Sequence, residues 1–181
     1  MIYRYKDFFP VTGAGVFIAP GADVIGNVTI GDECGIWFNV TIRGDVHYIR
    51  IGNRTNIQDN SILHVTNGLF PLEIGSRVTV AHGVILHGCK IGDNTLIGMG
   101  VTVLDNAEIG SDSIIAAGSL VREGRKFPDG VLIAGTPAVV KRPLRDDEIE
   151  KNRKYSENYV KYKNEYLNRK TFAPYEKGDQ F

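Results

Sequence analysis

Aliphatic residues recur in this chain at intervals of six positions over most of its first 121 residues. Glycine or another small or turn-forming residue often follows, as in Ile30-Gly31-Asp32. A period of six fits neither an amphipathic helix nor a simple strand. It is typical of a parallel β-helix, in which each hexapeptide supplies a short strand and a corner, and about three hexapeptides complete one coil. The in-phase residues form four runs: Ile18, Val24, Ile30, Ile36 and Ile42; Ile51, Ile57 and Leu63; Ile74, Val80 and Leu86; and Ile91, Ile97, Val103, Ile109, Ile115 and Val121.

We therefore predict an all-β solenoid, a parallel β-helix of hexapeptide repeats, with one C-terminal α-helix. The aliphatic residues should point into the coil, and turn-prone residues should occupy the corners, some with a left-handed backbone. The repeat fades near Val121, so the glycine- and proline-rich segment 124–143 is expected to cross away from the coils. We assign residues 1–140 to a β-helix domain with an N-terminal cap, and residues 141–181 to a helix and tail that pack on it.

Residues 146–169 are predicted to form one long helix. The segment is charged, lacks glycine and proline, and opens with Asp146 and Asp147, which suit a helix N-terminus. Four tyrosines in it are spaced four, three and four residues apart and so form one stripe. We expect this stripe to pack on the β-helix of the same or a neighbouring chain; it consists of Tyr155, Tyr159, Tyr162 and Tyr166.

The repeat changes phase at three places, and the two longer breaks predict loops. Loops on a rigid scaffold often carry functional side chains. His47 lies in the first long interval, and His64 opens the second. The intervals are of nine, eleven and five residues, and they separate Ile42 from Ile51, Leu63 from Ile74, and Leu86 from Ile91.

The composition excludes several classes of partner. Lysine plus arginine equals aspartate plus glutamate at 21 each, which argues against a nucleic-acid or anionic-membrane surface. No apolar run is long enough to span a bilayer, and the N-terminus does not resemble a secretory signal. We therefore expect a cytoplasmic protein in which Cys34 and Cys89 are small buried apolar residues.

Three of the four histidines stand where metal ligands could be. His64 and His87 each follow an inward aliphatic residue, and His82 lies two residues after Val80, so all three belong to outward or corner positions. His82 and His87 should diverge around a corner within one chain, but they would converge between two chains packed side by side. Three imidazoles with one open position describe a catalytic zinc site. Hydrogen-bonded surface histidines are the alternative.

Three stretches, in this order, resemble those of the γ-class carbonic anhydrases of the left-handed β-helix superfamily. They are IRGDV at 42–46, TNIQDNSILH at 55–64 and VAHGVILHG at 80–88. The resemblance implies a left-handed coil and a homotrimer with one metal at each subunit interface. His64 and His87 of one subunit and His82 of its neighbour would be the ligands. Zinc is the implied metal, and Fe(II) or Co(II) are compatible with such a site.

The resemblance also implies roles for residues around the metal. Gln58 would hydrogen-bond near the metal-bound water, Asn56 would lie beside the site, and the C-terminal helix would present Tyr159. Three further positions match those of charged contacts across the interface, for which a purely structural role is the alternative. These positions are Arg43, Asp45 and Asp59.

The implied activity is the reversible hydration of CO2 to bicarbonate, by attack of hydroxide that the metal generates from water. The chain departs from the best-known active pattern at two places. Val46 follows Asp45 where that pattern has a glutamate, and no carboxylate lies between His64 and Glu73, where that pattern has a shuttle glutamate. Because a proton must leave the site in every turnover, slow hydration, a different proton shuttle or a different substrate are the expected consequences.

Three other functions remain open at this stage. Hexapeptide acyltransferases share the coil and often end in a segment similar to AGTPAVVKRP, but they generally use one histidine as a general base. A hydrolase acting on an acyl thioester could use the same metal chemistry. A catalytically silent, trimeric metal-binding protein is the non-enzymatic alternative. Metal content, retention of CoA and the rate of CO2 hydration distinguish these functions.

Overall fold

In a computed structural model, which describes residues 1–168 and 171–174, the chain forms a parallel β-helix followed by one helix. Seven strands stack in parallel along one face, so the β-helix has about seven coils. The predicted solenoid is therefore confirmed. The last strand, Ala138–Pro143, runs antiparallel to Val131–Gly135 and closes the C-terminal end of that face.

Three faces run along the β-helix, and the long strands Asp23–Ile30 and Thr41–Ile51 bend around the corner between two of them. The helix face, which the C-terminal helix covers, consists of Phe17–Ile18, Gly35–Ile36, Asn56–Ile57, Thr79–Val80, Leu96–Ile97, Ile114–Ile115 and Val131–Gly135. The histidine face consists of Ile2–Tyr3, the first halves of the two long strands, Ile62–His64, Ile85–His87, Thr102–Val103 and Leu120–Val121. The charged face consists of Val11–Thr12, the second halves of the two long strands, Leu72–Ile74, Lys90–Ile91, Glu108–Ile109 and Lys126–Phe127.

The predicted hexapeptide residues form inward columns, one behind each face. All of them except Ile18 are buried, and Ile18 packs half-buried against the core at the first coil. Burial of one such side chain contributes roughly 1.5–3 kcal/mol, so the columns supply most of the stabilisation of the coil. The column behind the histidine face is Val24, Ile42, Leu63, Leu86, Val103 and Val121.

At the corner between the charged face and the helix face, the residue after an Ile-Gly pair ties one coil to the next. Asn53 Oδ1 accepts the backbone N–H of Asp32 at 2.9 Å, and Asp93 Oδ1 accepts that of Ser76 at 2.7 Å. The preceding glycine leaves room for this contact, because a Cβ atom on Gly31 would lie 2.3 Å from Asn53 Oδ1. Contacts between coils thus explain both the glycine and the polar residue that follows it.

All three phase breaks lie at one corner, between the histidine face and the charged face. We call residues 44–48, 65–71 and 88–89 the insertion corner. The first break is absorbed by a register shift within the continuous strand Thr41–Ile51 and not by a loop. The second is the predicted loop, closed by backbone hydrogen bonds that Thr66 and Phe70 exchange. The third is a tight turn at Gly88, whose φ is +51°.

The expectation that the coils end near Val121 was wrong. Phe127 pairs in register with Ile109, and Ile133 with Ile115, so both continue their columns for another coil. An aromatic residue in an aliphatic position and the following Pro128 obscured the period. Pro128 stands at a corner, where no strand ladder needs its missing N–H.

The C-terminal helix begins at Asp146, as predicted, and ends at Leu167. The Glu148 side chain accepts the backbone N–H of Arg145 at 3.0 Å and so caps its first turn. Asn168 already has an extended backbone, and residue 169 of the predicted helix lies outside the described residues. No helix in the described part of the chain is long and apolar enough to cross a membrane.

Polar residues, and not the tyrosine stripe, form the centre of the buried helix surface. Asn152, Ser156 and Lys163 are at most 2% exposed. Asn152 and Ser156 donate to backbone carbonyls at the corner of the coils, and Lys163 Nζ lies 3.0 Å from the Glu33 carboxylate. The helix therefore docks on a surface of backbone acceptors.

The tyrosine stripe is divided between two environments. Tyr159 and Tyr166 pack edge-on against Trp37, with ring centroids 5.6 and 5.0 Å away. Tyr155 and Tyr162 are 38% and 47% exposed. The prediction that the stripe packs on the β-helix is thus confirmed for two of its members within this chain.

We expect Ile97→Ala to lower the free energy of unfolding by about 2–5 kcal/mol, because it removes buried methyl groups from the middle of a column. Ile97 is 0% exposed and stacks between Val80 and Ile115. Chemical denaturation at fixed protein concentration measures the change. Met99→Ala is the control: this side chain is 59% exposed, so its removal should change the free energy by about 0.5 kcal/mol or less. Equal effects of both substitutions would contradict the assignment of the column.

Candidate metal centre

Strand register places two histidines side by side on adjacent coils. His64 ends Ile62–His64, His87 ends Ile85–His87, and the two residues pair directly in the parallel ladder. Leu63 and Leu86, one position earlier, point into the core, so both imidazoles point outward. His64 Nδ1 lies 3.1 Å from His87 Nε2.

A carboxylate holds the remaining nitrogen of each ring. Asp45 Oδ1 lies 3.1 Å from His64 Nε2, and Arg43 donates to the other oxygen of Asp45. Asp105 Oδ1 lies 2.6 Å from His87 Nδ1. Each carboxylate accepts the N–H of its histidine, which defines the tautomer of that ring.

The two facing nitrogens therefore need a cation between them. A neutral imidazole has one N–H, and each ring gives that N–H to its carboxylate. His64 Nδ1 and His87 Nε2 are then left with lone pairs directed at each other across 3.1 Å. A shared proton or a metal ion would make this contact favourable. Burial lowers the pKa of His64, although its hydrogen bond to Asp45 acts in the opposite direction, and this favours a neutral ring.

The spacing of these nitrogens fits a metal ion. Two nitrogen ligands of a tetrahedral zinc ion, each about 2.0–2.1 Å from it, stand about 3.3 Å apart. The observed separation is 3.1 Å. Carboxylates that hold the far nitrogens are also the usual partners of metal-binding histidines. The donor set thus fits two of the ligands of a zinc-type site.

Charge around the Asp45 carboxylate favours its ionised form. Burial acts to raise the pKa of Asp45, but hydrogen bonds from Arg43 and His64 outweigh it and hold that pKa below its usual value. Asp45 therefore remains an acceptor for the His64 N–H at neutral pH. Arg43 and Asp45 contact each other within this chain, so the chain itself supplies both charges of this pair.

His82 lies in a second cluster, at the other end of strand Ile85–His87. It occupies the turn before that strand and is exposed, with Nδ1 2.9 Å from Asp59 Oδ2. His82 and His87 therefore lie at opposite ends of one strand and do not converge within the chain. Within residues 1–168 and 171–174, no three histidine, cysteine, aspartate or glutamate side chains of one chain are grouped to hold a metal ion.

The His82 cluster lines a cleft between the coils and the C-terminal helix. This cleft has a volume of about 350 Å³, and Asp59 and Tyr159 lie in its wall together with His82. Burial, and then the Asp59 carboxylate, raise the pKa of Tyr159, so its hydroxyl keeps its proton at neutral pH. The structure therefore brings Tyr159 and Asp59 to His82, and not to the His64–His87 pair.

Asn56 and Gln58 lie in the interior of the protein. They are 2% and 3% exposed. Gln58 Nε2 donates to Asn56 Oδ1, and Asn56 Nδ2 donates to Thr79 Oγ1, each at 3.0 Å. Gln58 directly precedes Asp59, the partner of His82, in the sequence.

Sequence reasoning missed Asp105 and Thr66. Ile85 and Leu86 pair with Thr102 and Val103 on the next coil, and Asp105 stands two positions after Val103. The five-residue interval after Leu86 shortens this coil, so the six-residue period by itself does not place the carboxylate beside His87. Thr66 Oγ1 donates to Asp105 Oδ2 at 2.7 Å. Thr66 belongs to an irregular loop, and no period predicts its contact.

Known proteins share this arrangement of coils. Residues 9–44 and 88–123 match the Bacterial transferase hexapeptide (six repeats) family. The chain is 49% identical over 160 residues to the carbonic anhydrase of Geobacillus kaustophilus, covering 88% of this chain and 87% of that protein. It is 40% identical over 159 residues to gamma carbonic anhydrase 2, mitochondrial, of Arabidopsis thaliana, covering 85% of this chain and 57% of that protein.

A crystal structure gives the same result for the fold. The hexapeptide transferase family protein from Anaplasma phagocytophilum superimposes with a TM-score of 0.88 at 39% identity, over 92% of this chain and 98% of that one. The alignment with the Geobacillus protein extends over nearly the full length of both chains. The chain therefore belongs to the γ-class carbonic anhydrase family.

Proposed function

We propose that this protein is a γ-type carbonic anhydrase that hydrates CO2 to bicarbonate at a metal centre. In this proposal His64 and His87 of one subunit and His82 of a neighbouring subunit hold the metal in a homotrimer. The observation that carries the proposal is the contact of His64 Nδ1 and His87 Nε2 at 3.1 Å, with both far nitrogens held by carboxylates. Membership of the family supports the choice of CO2 as substrate.

The need for a third ligand supports a shared site. His82 is exposed and stands at the opposite end of Ile85–His87 from the paired rings, so a neighbour's His82 could complete the site. The outward side chains of Ile62 and Ile85 are 46% and 39% exposed and adjacent in register. Exposed apolar groups on the histidine face favour its coverage by another subunit.

The charged face is less suited than the histidine face to form a subunit interface. Its outward column alternates in sign through five successive coils, and such a ladder satisfies its own charges in water. The histidine face is therefore the better candidate for the subunit interface. The residues of the ladder are Arg50, Glu73, Lys90, Glu108 and Lys126.

We propose zinc as the metal, with Fe(II) or Co(II) compatible with imidazole ligands. A Lewis-acidic ion of this kind supplies hydroxide by acidifying water. With Asp45 and Asp105 accepting the far N–H groups, the two facing nitrogens would present their lone pairs to the metal. Tyr159 offers a protonated hydroxyl in the cleft beside His82. For Asn56 and Gln58 we propose support behind Asp59, and for Arg43, Asp45 and Asp59 the orientation of the ligands.

Slow turnover follows from the groups near the site. The first carboxylate after His64 is Glu73, on the charged face, where it accepts the Tyr48 hydroxyl at 2.9 Å and lies 3.7 Å from Lys90 Nζ. Glu73 is thus engaged on another face. Val46 occupies the position after Asp45 and cannot carry a proton. Transfer of the proton to solvent is therefore the step that we expect to limit the rate.

We also propose a cytoplasmic location. Cys34 and Cys89 are both free and buried, which suits a reducing compartment. The small substrate and the neutral net charge require neither a nucleic acid nor a membrane as partner.

We expect His64→Ala and His82→Ala to lose the metal and CO2 hydration, because each removes one of three ligands. Metal content per chain and stopped-flow hydration are measured on protein prepared anaerobically and on protein reconstituted with zinc. The wild type should hold about one metal per chain in one of the preparations. His47→Ala is the matched control: His47 Nδ1 accepts from the backbone N–H of Tyr48, and its loss should leave both measurements unchanged.

Two other outcomes of these measurements would favour a different function. Wild-type protein without metal in either preparation would contradict the proposal and favour an acyltransferase, for which retention of CoA is the check. Metal without hydration would retain the site but favour hydrolysis of an acyl thioester or a silent metal-binding trimer.

Mixing two inactive variants tests whether the site is shared. His82→Ala subunits retain His64 and His87, and His87→Ala subunits retain His82. Refolded together in equal amounts and assembled at random, they should recover about a quarter of the wild-type metal content and hydration rate, because one in four neighbouring pairs unites the intact halves. No recovery in mixed trimers, shown by differently tagged subunits, would place all ligands within one chain.

A further inference from the structure

We infer that Asp105, held by Thr66, is a positioning residue for the metal ligand His87, and that the loop at 65–71 serves to complete this arrangement. The inference deepens the proposed function and rests on the metal centre described there. Two contacts carry it: His87 Nδ1 to Asp105 Oδ1 at 2.6 Å, and Thr66 Oγ1 to Asp105 Oδ2 at 2.7 Å. The family resemblance assigned no role to either Asp105 or Thr66.

Asp105 determines which nitrogen of His87 is available. Its carboxylate accepts the Nδ1–H, so Nε2 carries the lone pair that faces His64. A ring without this partner could adopt the other tautomer or turn away from His64. A carboxylate in this place is also a common partner of a metal-binding histidine.

Thr66 fixes the second oxygen of the same carboxylate. Thr66 stands two residues after His64. One short segment therefore carries the ligand His64 and the hydroxyl that orients Asp105, the partner of His87. Without the hydroxyl, the carboxylate could rotate about its Cβ–Cγ bond and lose its alignment with the ring. Thr66 therefore couples the two halves of the His64–His87 pair.

The backbone of the insertion corner is shaped for this contact. A Cβ atom on Gly88 would lie 2.3 Å from Asp105 Oδ1 and 2.8 Å from Phe70 Cβ. Only a glycine leaves room there for both the carboxylate and the loop. The N–H of Gly68 donates to the carbonyl of Val46 at 3.3 Å, which connects the loop to the residue after Asp45. The loop thus reaches the neighbourhoods of both supporting carboxylates.

A purely structural reading makes different predictions. If the Thr66–Asp105 hydrogen bond only fastened the loop to the coils, its loss would lower stability and leave metal affinity unchanged. If it positions His87, affinity falls even where the fold is intact. Metal affinity, and not activity, is therefore the deciding measurement.

The experiment compares full-length wild type with Asp105→Asn, Thr66→Val and Thr66→Ser. Affinity for Co2+ and for Zn2+ is measured by competition with a chelator, alongside thermal unfolding and the size of the assembly. Asp129→Asn is the matched control for charge. Asp129 accepts a backbone N–H on another coil, and Asn53 already fills the equivalent place in the chain, so an asparagine is tolerated there.

We expect Asp105→Asn to weaken metal binding by about 10–100-fold. Thr66→Val should weaken it less but in the same direction. Thr66→Ser, which retains the hydroxyl, should restore it, and Asp129→Asn should leave it unchanged. Unchanged affinity in Asp105→Asn and Thr66→Val would overturn this inference while the proposed function stands. Wild-type protein that binds neither metal would overturn both.

A second readout needs no metal. Nitrogen NMR of the His87 ring in metal-free protein reports which nitrogen carries the proton. In the wild type we expect the proton on Nδ1, and in Asp105→Asn a mixture of tautomers. An Nε2–H tautomer in the wild type would contradict the role of Asp105 even if the variants proved too unstable for titration.

Discussion

The in-register stacking of one coil on the next is the constraint on which the rest of this structure depends. Each inward aliphatic residue sits on its counterpart in the neighbouring coil, so outward residues of adjacent coils must also become neighbours. His64 and His87 are 23 residues apart in sequence and yet adjacent in space. Stacking also brings Asp105, on the next coil, within reach of His87, although these two residues do not pair in register. The apolar core thus assembles the polar site.

The insertion corner confines the departures from the six-residue period to one edge of the β-helix, next to the two facing histidines. All three departures from the six-residue period fall between the histidine face and the charged face, so the other two corners stack without interruption. Residues added or removed at this corner change the length of the coil locally and do not displace the inward columns. The rings of His64 and His87 have centroids 5.1 Å apart, near the spacing of the coils, but tilt so that two nitrogens approach to 3.1 Å. The carboxylates at this corner stabilise that orientation.

The sequence predicted the two facing histidines of the site but not the residues that support His87. The outward position of His64 and His87 followed from Leu63 and Leu86, because alternation along a strand is a local property. Asp105 was missed because its contact with His87 depends on how the shortened turn after Leu86 folds. The contact of Thr66 with Asp105 could not be predicted, since it depends on how an irregular loop folds over Gly88.

The sequence by itself determined the repeat, the inward columns, the start of the helix and the residues that face outward, because each of these follows from local periodicity. Tertiary structure alone decided that polar Asn152, Ser156 and Lys163 would form the buried centre of the helix, since their acceptors are created only when the coils stack. It also decided that His82 would stand apart with Asp59 while His64 and His87 face each other. Such contacts join residues far apart in sequence, and their geometry exists only after the coils have closed.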